Sequence, residues 1–274
     1  MNPADRPIGV FDSGIGGLTV VHELLRELPN ESITYFGDTA RVPYGAKSAE
    51  TVARYSEEAT AFLLARGVKL IVIACNTATA YAAEALAARL PVPVVGVIEP
   101  GARAAAAATR TRRIGVIGTA GTIRSGAYDL AVRRKLDSAH VYAQPCPLFV
   151  PLVEEGWRDH PAARLVAQEY LAPLREMHVD VLVLGCTHYP VLRPLIGEIM
   201  GPDVQLVDSA VETAREVHAV LAAHALLRTD PRPPVHTFIA SDSPLRFRDV
   251  GRVFLGDVIG DVELVDVDGY GRAA

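Results

Sequence analysis

The sequence predicts two similar α/β domains with mainly parallel sheets, related by a pseudo-twofold axis, with an active site in the cleft between them. Three observations carry that expectation. First, uninterrupted branched apolar runs, notably Leu70-Ile71-Val72-Ile73 and Val181-Leu182-Val183-Leu184, alternate with segments of helical period. That is the pattern of strands buried on both faces by crossover helices. Second, two of these runs close alike, on Ala74-Cys75-Asn76-Thr77 and on Gly185-Cys186-Thr187-His188. Each puts a thiol and small polar groups at the carboxyl end of a strand, where open α/β sheets hold ligands. Third, the spacing repeats. Ile8 to Cys75 is 67 positions and Ile114 to Cys186 is 72, and each cysteine is followed 16 positions later by a proline ahead of a closing strand, Pro91 and Pro202.

Taken in order, Ile8 to Asp12 reads as a strand, Ser13 to Gly17 as a tight loop, and Leu18 to Leu28 as a helix stopped by Pro29. A second strand, Ser32 to Gly37, leads into the loop Asp38 to Gly45. Thr51 to Arg66 carries Val52, Tyr55, Ala59, Phe62 and Leu63 at helical spacing and ends at Gly67. The Cys75 strand follows, then a helix from Ala78 to Leu90 and a strand from Pro93 to Val97. The second set repeats the first: strand Ile114 to Ile117, glycine-bearing loop Gly118 to Thr122, helix Ile123 to Leu136, strand His140 to Ala143. After the proline-rich loop Gln144 to Pro151 come a helix from Ala162 to Met177, the Cys186 strand and a strand from Val204 to Val207. A helix from Ala210 to Leu227 and a strand from His236 to Ala240 are expected to return and complete the first half. The domains are therefore expected at 1–97 plus 209–274, and at 98–208.

Length and composition fit two globular domains: 274 residues, half of them hydrophobic, with 22% charged. A net charge of −5 argues against nucleic-acid or anionic-membrane partners. The short polar start and the absence of any long apolar run predict a cytoplasmic protein. Cys75, Cys146 and Cys186 lie too far apart for a disulfide framework, and a reducing compartment keeps them as thiols.

Two thiols on opposite faces of one bound carbon suit stereoinversion: a thiolate removes a proton and a thiol supplies one from the far side. A free cysteine titrates near ~8.5, so either state is within reach of neutral pH. Asp12 and His188 stand near strand ends and can hold or pass a proton to a thiol. A cysteine ending a buried strand is more often a small core residue, but duplication of the setting favours the functional reading. A zinc site from Cys75, Cys186, His188 and Asp12 lacks the paired spacing of structural zinc motifs, and no Cys-x-x-Cys supports a redox disulfide. Cys146, without a counterpart, reads as structural. The loop Asp12 to Gly17 is a poor phosphate loop: it is out of register with Gly-x-Gly-x-x-Gly, lacks a lysine and carries Asp12. It reads instead as a polar loop for a small ligand. Asn76, Thr77, Thr119, Thr122 and Thr187 add neutral donors suited to a carboxylate, although any of these threonines alone is more often a helix cap.

Phe11-Asp12-Ser13-Gly14-Ile15-Gly16-Gly17, Val42-Pro43-Tyr44-Gly45, Ala74-Cys75-Asn76-Thr77 and Gly185-Cys186-Thr187-His188-Tyr189-Pro190 together resemble the motifs of the glutamate racemases, within the aspartate/glutamate racemase family. The resemblance runs from about Ile8 into the C-terminal region. It implies cofactor-independent racemisation of glutamate, supplying D-glutamate for peptidoglycan, with Cys75 and Cys186 as the two acid–bases assisted by Asp12 and His188. It further implies substrate contacts from Asp12, Ser13, Tyr44, Gly45, Asn76, Thr77, Thr187 and His188, with Thr119, Thr122 and Glu154 as further positions. No metal or cofactor is implied. The three lysines (Lys47, Lys69, Lys135) lie outside the motifs, so none recommends itself for pyridoxal phosphate. The expected partner is a small-molecule substrate, and the expected assembly a homodimer. An aspartate racemase is the nearest enzymatic rival. A non-catalytic amino-acid sensor is the rival from another class, and it would need neither thiol.

Overall fold

The computed structural model describes residues 2–266; Met1 and residues 267–274, assigned above to the first domain, lie outside the described residues. The chain runs β1 (Ile8–Asp12), α1 (Leu18–Glu27), β2 (Ile33–Gly37), α2 (Ala49–Ala65), β3 (Leu70–Ile73), α3 (Asn76–Arg89), β4 (Val94–Gly96) and α4 (Ile98–Ala108). It continues β5 (Arg113–Gly118), α5 (Ala120–Arg124), α6 (Ala127–Lys135), β6 (His140–Pro145), α7 (Phe149–Glu154), α8 (Pro161–Glu176), β7 (Val181–Gly185), α9 (Arg193–Met200) and β8 (Gln205–Asp208). α10 (Ser209–Ala223), β9 (His236–Ala240), α11 (Pro244–Leu255) and β10 (Val262–Leu264) complete it. Among the described residues no helix is long and apolar enough to cross a membrane.

The strands form two sheets, both wholly parallel. One has the order β10-β9-β2-β1-β3-β4 and the other β6-β5-β7-β8. The duplication expected from the spacing is therefore one of topology: in each half the second strand pairs with the first, the first with the third, and the third with the fourth. The registers agree as well, Ile8 lying between Ile33 and Leu70 just as Ile114 lies between Val141 and Val181. Along β3 and β7 every residue is buried, as continuous branched runs require, and each such side chain contributes about 1.5–3 kcal/mol. β9 joins the outer side of β2, so the returning segment adds to the first sheet.

Several elements depart from the expected pattern, each for a local reason. α4 fills the stretch between Val97 and Ile114, for which no element was expected. Pro100 falls in the helix's first turn, where its missing N–H costs nothing. The same logic turns part of the expected loop Gln144 to Pro151 into α7, with Pro151 in its first turn. The helix expected over Ile123 to Leu136 is two helices, broken where Gly126 takes φ +67°. The helix expected to reach Leu227 stops at Ala223. Ala225 turns at φ +54°, and the Leu226 carbonyl accepts a hydrogen bond from Lys69 Nζ (2.8 Å).

Lys69 is buried and also bonds the Ala4 carbonyl (2.6 Å) and the Glu31 carboxylate, tying the N-terminus, the β2 entry and the end of α10 together beneath the first sheet.

Candidate active site

The carboxyl ends of β3 and β7 face one cavity. Its lining includes Ser13, Tyr44, Gly45, Cys75, Asn76 and Thr77 from the first half, and Thr119, Cys186, Thr187 and His188 from the second. Val42, Pro43 and Val150 complete it, apolar positions that carried no chemical signal in the sequence. The cavity holds about 40 Å³, room for a few waters.

Each thiol is placed by the geometry of a strand end. Cys75 follows β3 and caps α3: the Ala78 N–H donates to its Sγ at 3.5 Å, and Ser13 Oγ lies 3.7 Å from the same sulfur. Burial pushes the Cys75 thiol up to about 12, with neighbouring Asp12 adding to the effect and the Ala78 and Ser13 contacts opposing it. The expectation of two thiols within easy reach of neutral pH thus fails at Cys75, which stays protonated. Cys186 follows β7, with its Sγ 3.9 Å from His188 Nδ1. His188 Nε2 in turn lies 3.0 Å from Glu154 Oε1. Burial alone would lower the imidazole, but the hydrogen bonds and charges of Cys186 and Glu154 outweigh it and raise it to about 10. Around neutral pH an imidazolium therefore stands beside Cys186.

Asp12 ends β1 behind the loop. Its Oδ1 accepts from the Gly14 N–H (2.9 Å), and burial raises its pKa against the lowering influence of His188 and the Gly14 and Gly17 amides. Thr122 lies behind the lining, in a triangle of hydroxyls with Thr77 (3.1 Å) and Thr119 (3.1 Å), which are themselves 2.9 Å apart. Of the expected site residues, Asp12, Thr122 and Glu154 thus stand one layer behind the cavity wall, and the others form it.

The glycine loop has a steric purpose. A Cβ on Gly16 would stand 2.4 Å from Thr187 Oγ1 and 2.5 Å from His188 Nδ1, so only a bare backbone lets the first half approach the β7 end. Gly45 meets Thr119 in the same way. Thr19 Oγ1 then donates to the Thr187 carbonyl (3.0 Å), and Tyr81 to the Gly121 carbonyl (2.9 Å), fastening the two halves around the cavity.

Two strand-end thiols, one from each half of a duplicated α/β chain, thus line one cavity in a chain that the following likenesses make an amino-acid racemase, an isomerase. The chain belongs to the Asp/Glu/Hydantoin racemase family, whose pattern matches residues 8–217. A glutamate racemase from Geobacter metallireducens is 57% identical, covering 96% of this chain and 97% of that protein. Among solved structures, the glutamate racemase of Francisella tularensis in complex with D-glutamate is 41% identical with a TM-score of 0.91, covering 97% of this chain and 100% of that one. A glutamate racemase isoform from Bacillus anthracis is 40% identical at the same TM-score, covering 97% and 98%. The membership expected from the motifs is borne out.

Proposed function

We propose that this enzyme interconverts L- and D-glutamate by proton transfer at the α-carbon between Cys75 and Cys186. The observation that carries the reading is that the two sulfurs, from separate sheets, border one cavity in unlike settings. Cys75 is held as a thiol, whereas Cys186 stands beside an imidazolium. In one direction the Cys186 thiolate takes the α-proton, the carbon bears the electron pair, and the Cys75 thiol returns a proton from the opposite face. In the reverse direction Cys75 is the base. Each turnover leaves the pair with protonation states exchanged, and no electrons are gained or lost.

Asp12 backs Cys75 and His188 backs Cys186, with Glu154 holding His188 and Thr122 holding Thr77 and Thr119. The carboxylates and ammonium of glutamate are received by Ser13, Asn76, Thr77, Thr119, Thr187 and His188 and by the backbone at Tyr44 and Gly45. Neutral donors around the start of α3 stabilise carboxylates. D-glutamate bound to the Francisella relative supports the choice of substrate. We further propose domain limits of 1–97 plus 209–274 and 98–208, a cytoplasmic homodimer, and a role in supplying D-glutamate for peptidoglycan.

The test is racemisation in deuterium oxide, followed by circular dichroism and mass analysis of the product. Solvent deuterium is expected at the α-carbon, and Cys75→Ala and Cys186→Ala are each expected to abolish turnover with the fold intact. Product that keeps its protium, or full activity in either variant, would overturn the mechanism.

A further inference from the structure

Asn76 lines the cavity in a way its sequence neighbours do not explain. Its side chain is buried, and its two amide ends have different company. Oδ1 accepts a hydrogen bond from the Tyr128 hydroxyl at 2.8 Å, whereas Nδ2 is buried and has no hydrogen-bond partner among the described residues. Asn76 begins α3 in the first half and Tyr128 lies on α6 in the second, so the bond crosses the root of the cleft.

A primary amide has two nearly isosteric orientations that exchange a donor for an acceptor. What selects between them is the partner's own hydrogen. The phenol of Tyr128 is buried, and its hydroxyl donates to Asn76 Oδ1. Turning the amide would set that proton against an N–H rather than an acceptor, so Asn76 must answer with Oδ1. Burial keeps the proton on Tyr128, with the charges of Asp208 and Cys186 adding to the effect of burial. The ring is fixed too: a Cβ on Gly185, the residue before Cys186, would stand 3.0 Å from the Tyr128 edge, and Gly101 of α4 faces the hydroxyl. Tyr128 therefore stands against Asn76 after β3, Gly185 at the end of β7 and Gly101 of α4.

We propose that Tyr128 is the positioning residue of the substrate-binding amide: the hydrogen bond from its hydroxyl to Asn76 Oδ1 holds Asn76 Nδ2 toward the cavity, where it donates to a glutamate carboxylate. The proposal rests on the reading that Asn76 contacts substrate. It assigns Tyr128 no part in moving the α-proton. Without the phenol hydrogen the amide turns freely, and in its other orientation a carbonyl oxygen meets the carboxylate.

The experiment is a cycle of four enzymes: wild type, Tyr128→Phe, Asn76→Ala and the double variant, each assayed for KM and kcat with D- and L-glutamate. Tyr128→Phe is expected to raise KM about tenfold, the scale of a hydrogen bond to a charged group, with kcat within about twofold. In the Asn76→Ala background the same change is expected to leave KM where it was, because the group it acts through is gone. An equal rise in KM in both backgrounds would mean a purely structural role and would overturn the proposal. Asn76→Ala with unchanged KM would refute the substrate contact itself and the proposal with it, while leaving the two-thiol reaction intact. Should Tyr128→Phe fail to fold, Asn76→Asp replaces it: its carboxylate still accepts from Tyr128 but offers the substrate no donor, so KM is expected to rise at least as far as in Asn76→Ala, and an unchanged KM would overturn the proposal.

Discussion

Replacing Gly16 with alanine adds one methyl group and tests whether the glycine loop is a surface for close approach. The added Cβ would lie 2.4 Å from Thr187 Oγ1, 2.5 Å from His188 Nδ1 and 2.5 Å from His188 Cε1, whereas ordinary contact begins at 3.4 Å. About 1 Å of movement is therefore required, and both neighbours are buried. Moving His188 by that amount stretches its 3.0 Å bond to Glu154 beyond hydrogen-bonding range and displaces the imidazolium from Cys186. Misplacement of this size at a reacting centre costs about a hundredfold in rate, while the overpacking itself costs about 1–3 kcal/mol of stability. Gly14→Ala is the control, since a Cβ there meets only Val42, at 3.4 Å. Racemisation followed by circular dichroism should show kcat for Gly16→Ala down about a hundredfold and Gly14→Ala near wild type. A Gly16→Ala enzyme within about twofold of wild type would refute the steric account of the loop.

Three further predictions concern charge. Glu154→Gln removes a carboxylate that holds the proton on His188. The high-pH limb of kcat/KM is thus expected to move down by about one pH unit, and an unmoved limb in a pH–rate profile would remove Glu154 from this role. For stability the sign is that of a raised base: the imidazolium's contribution is complete below about 6.5 and is lost as pH rises through about 10, a window read by urea melts of the wild-type protein. Lys69→Met leaves Glu31 buried without its cation and the carbonyls of Ala4 and Leu226 without a donor, so urea unfolding should show a loss of about 3–5 kcal/mol. A loss below 1 kcal/mol would mean the staple beneath the first sheet is idle.

Much of this fold and site is legible in sequence because its causes are local. A strand covered on both faces must be apolar throughout, and a parallel strand must deliver its next residues to the ligand-bearing edge. Cys75 and Cys186 therefore announce themselves by where the apolar runs stop. The duplicated spacing carries the sheet order too, since the same four-strand plan is built twice. What stays hidden depends on partners far along the chain. Nothing near Gly16 says that Thr187 and His188 press against it, and nothing near Tyr128 names Asn76 as its acceptor. Pro151 misleads for the opposite reason: it is a strong local signal whose meaning reverses when the residue falls in a helix's first turn.

These two kinds of residue divide the labour of the site. The thiols can be duplicated because each needs only a strand end. Their unlike settings arise where the repeat breaks, Thr77 standing two positions after Cys75 and His188 two after Cys186. Residues from elsewhere add to the difference: Asp12 and Ser13 stand near Cys75, while Glu154 holds His188 by Cys186. A symmetric scaffold thus holds an asymmetric pair, which is what a reaction needing one acid and one base at the same instant requires. It follows that exchanging the thiols' neighbours, rather than the thiols, should change which hand of glutamate the resting enzyme accepts first. Single-turnover assays with each enantiomer in Glu154→Gln should show the wild-type preference reduced, and an unchanged preference would mean that the asymmetry arises elsewhere.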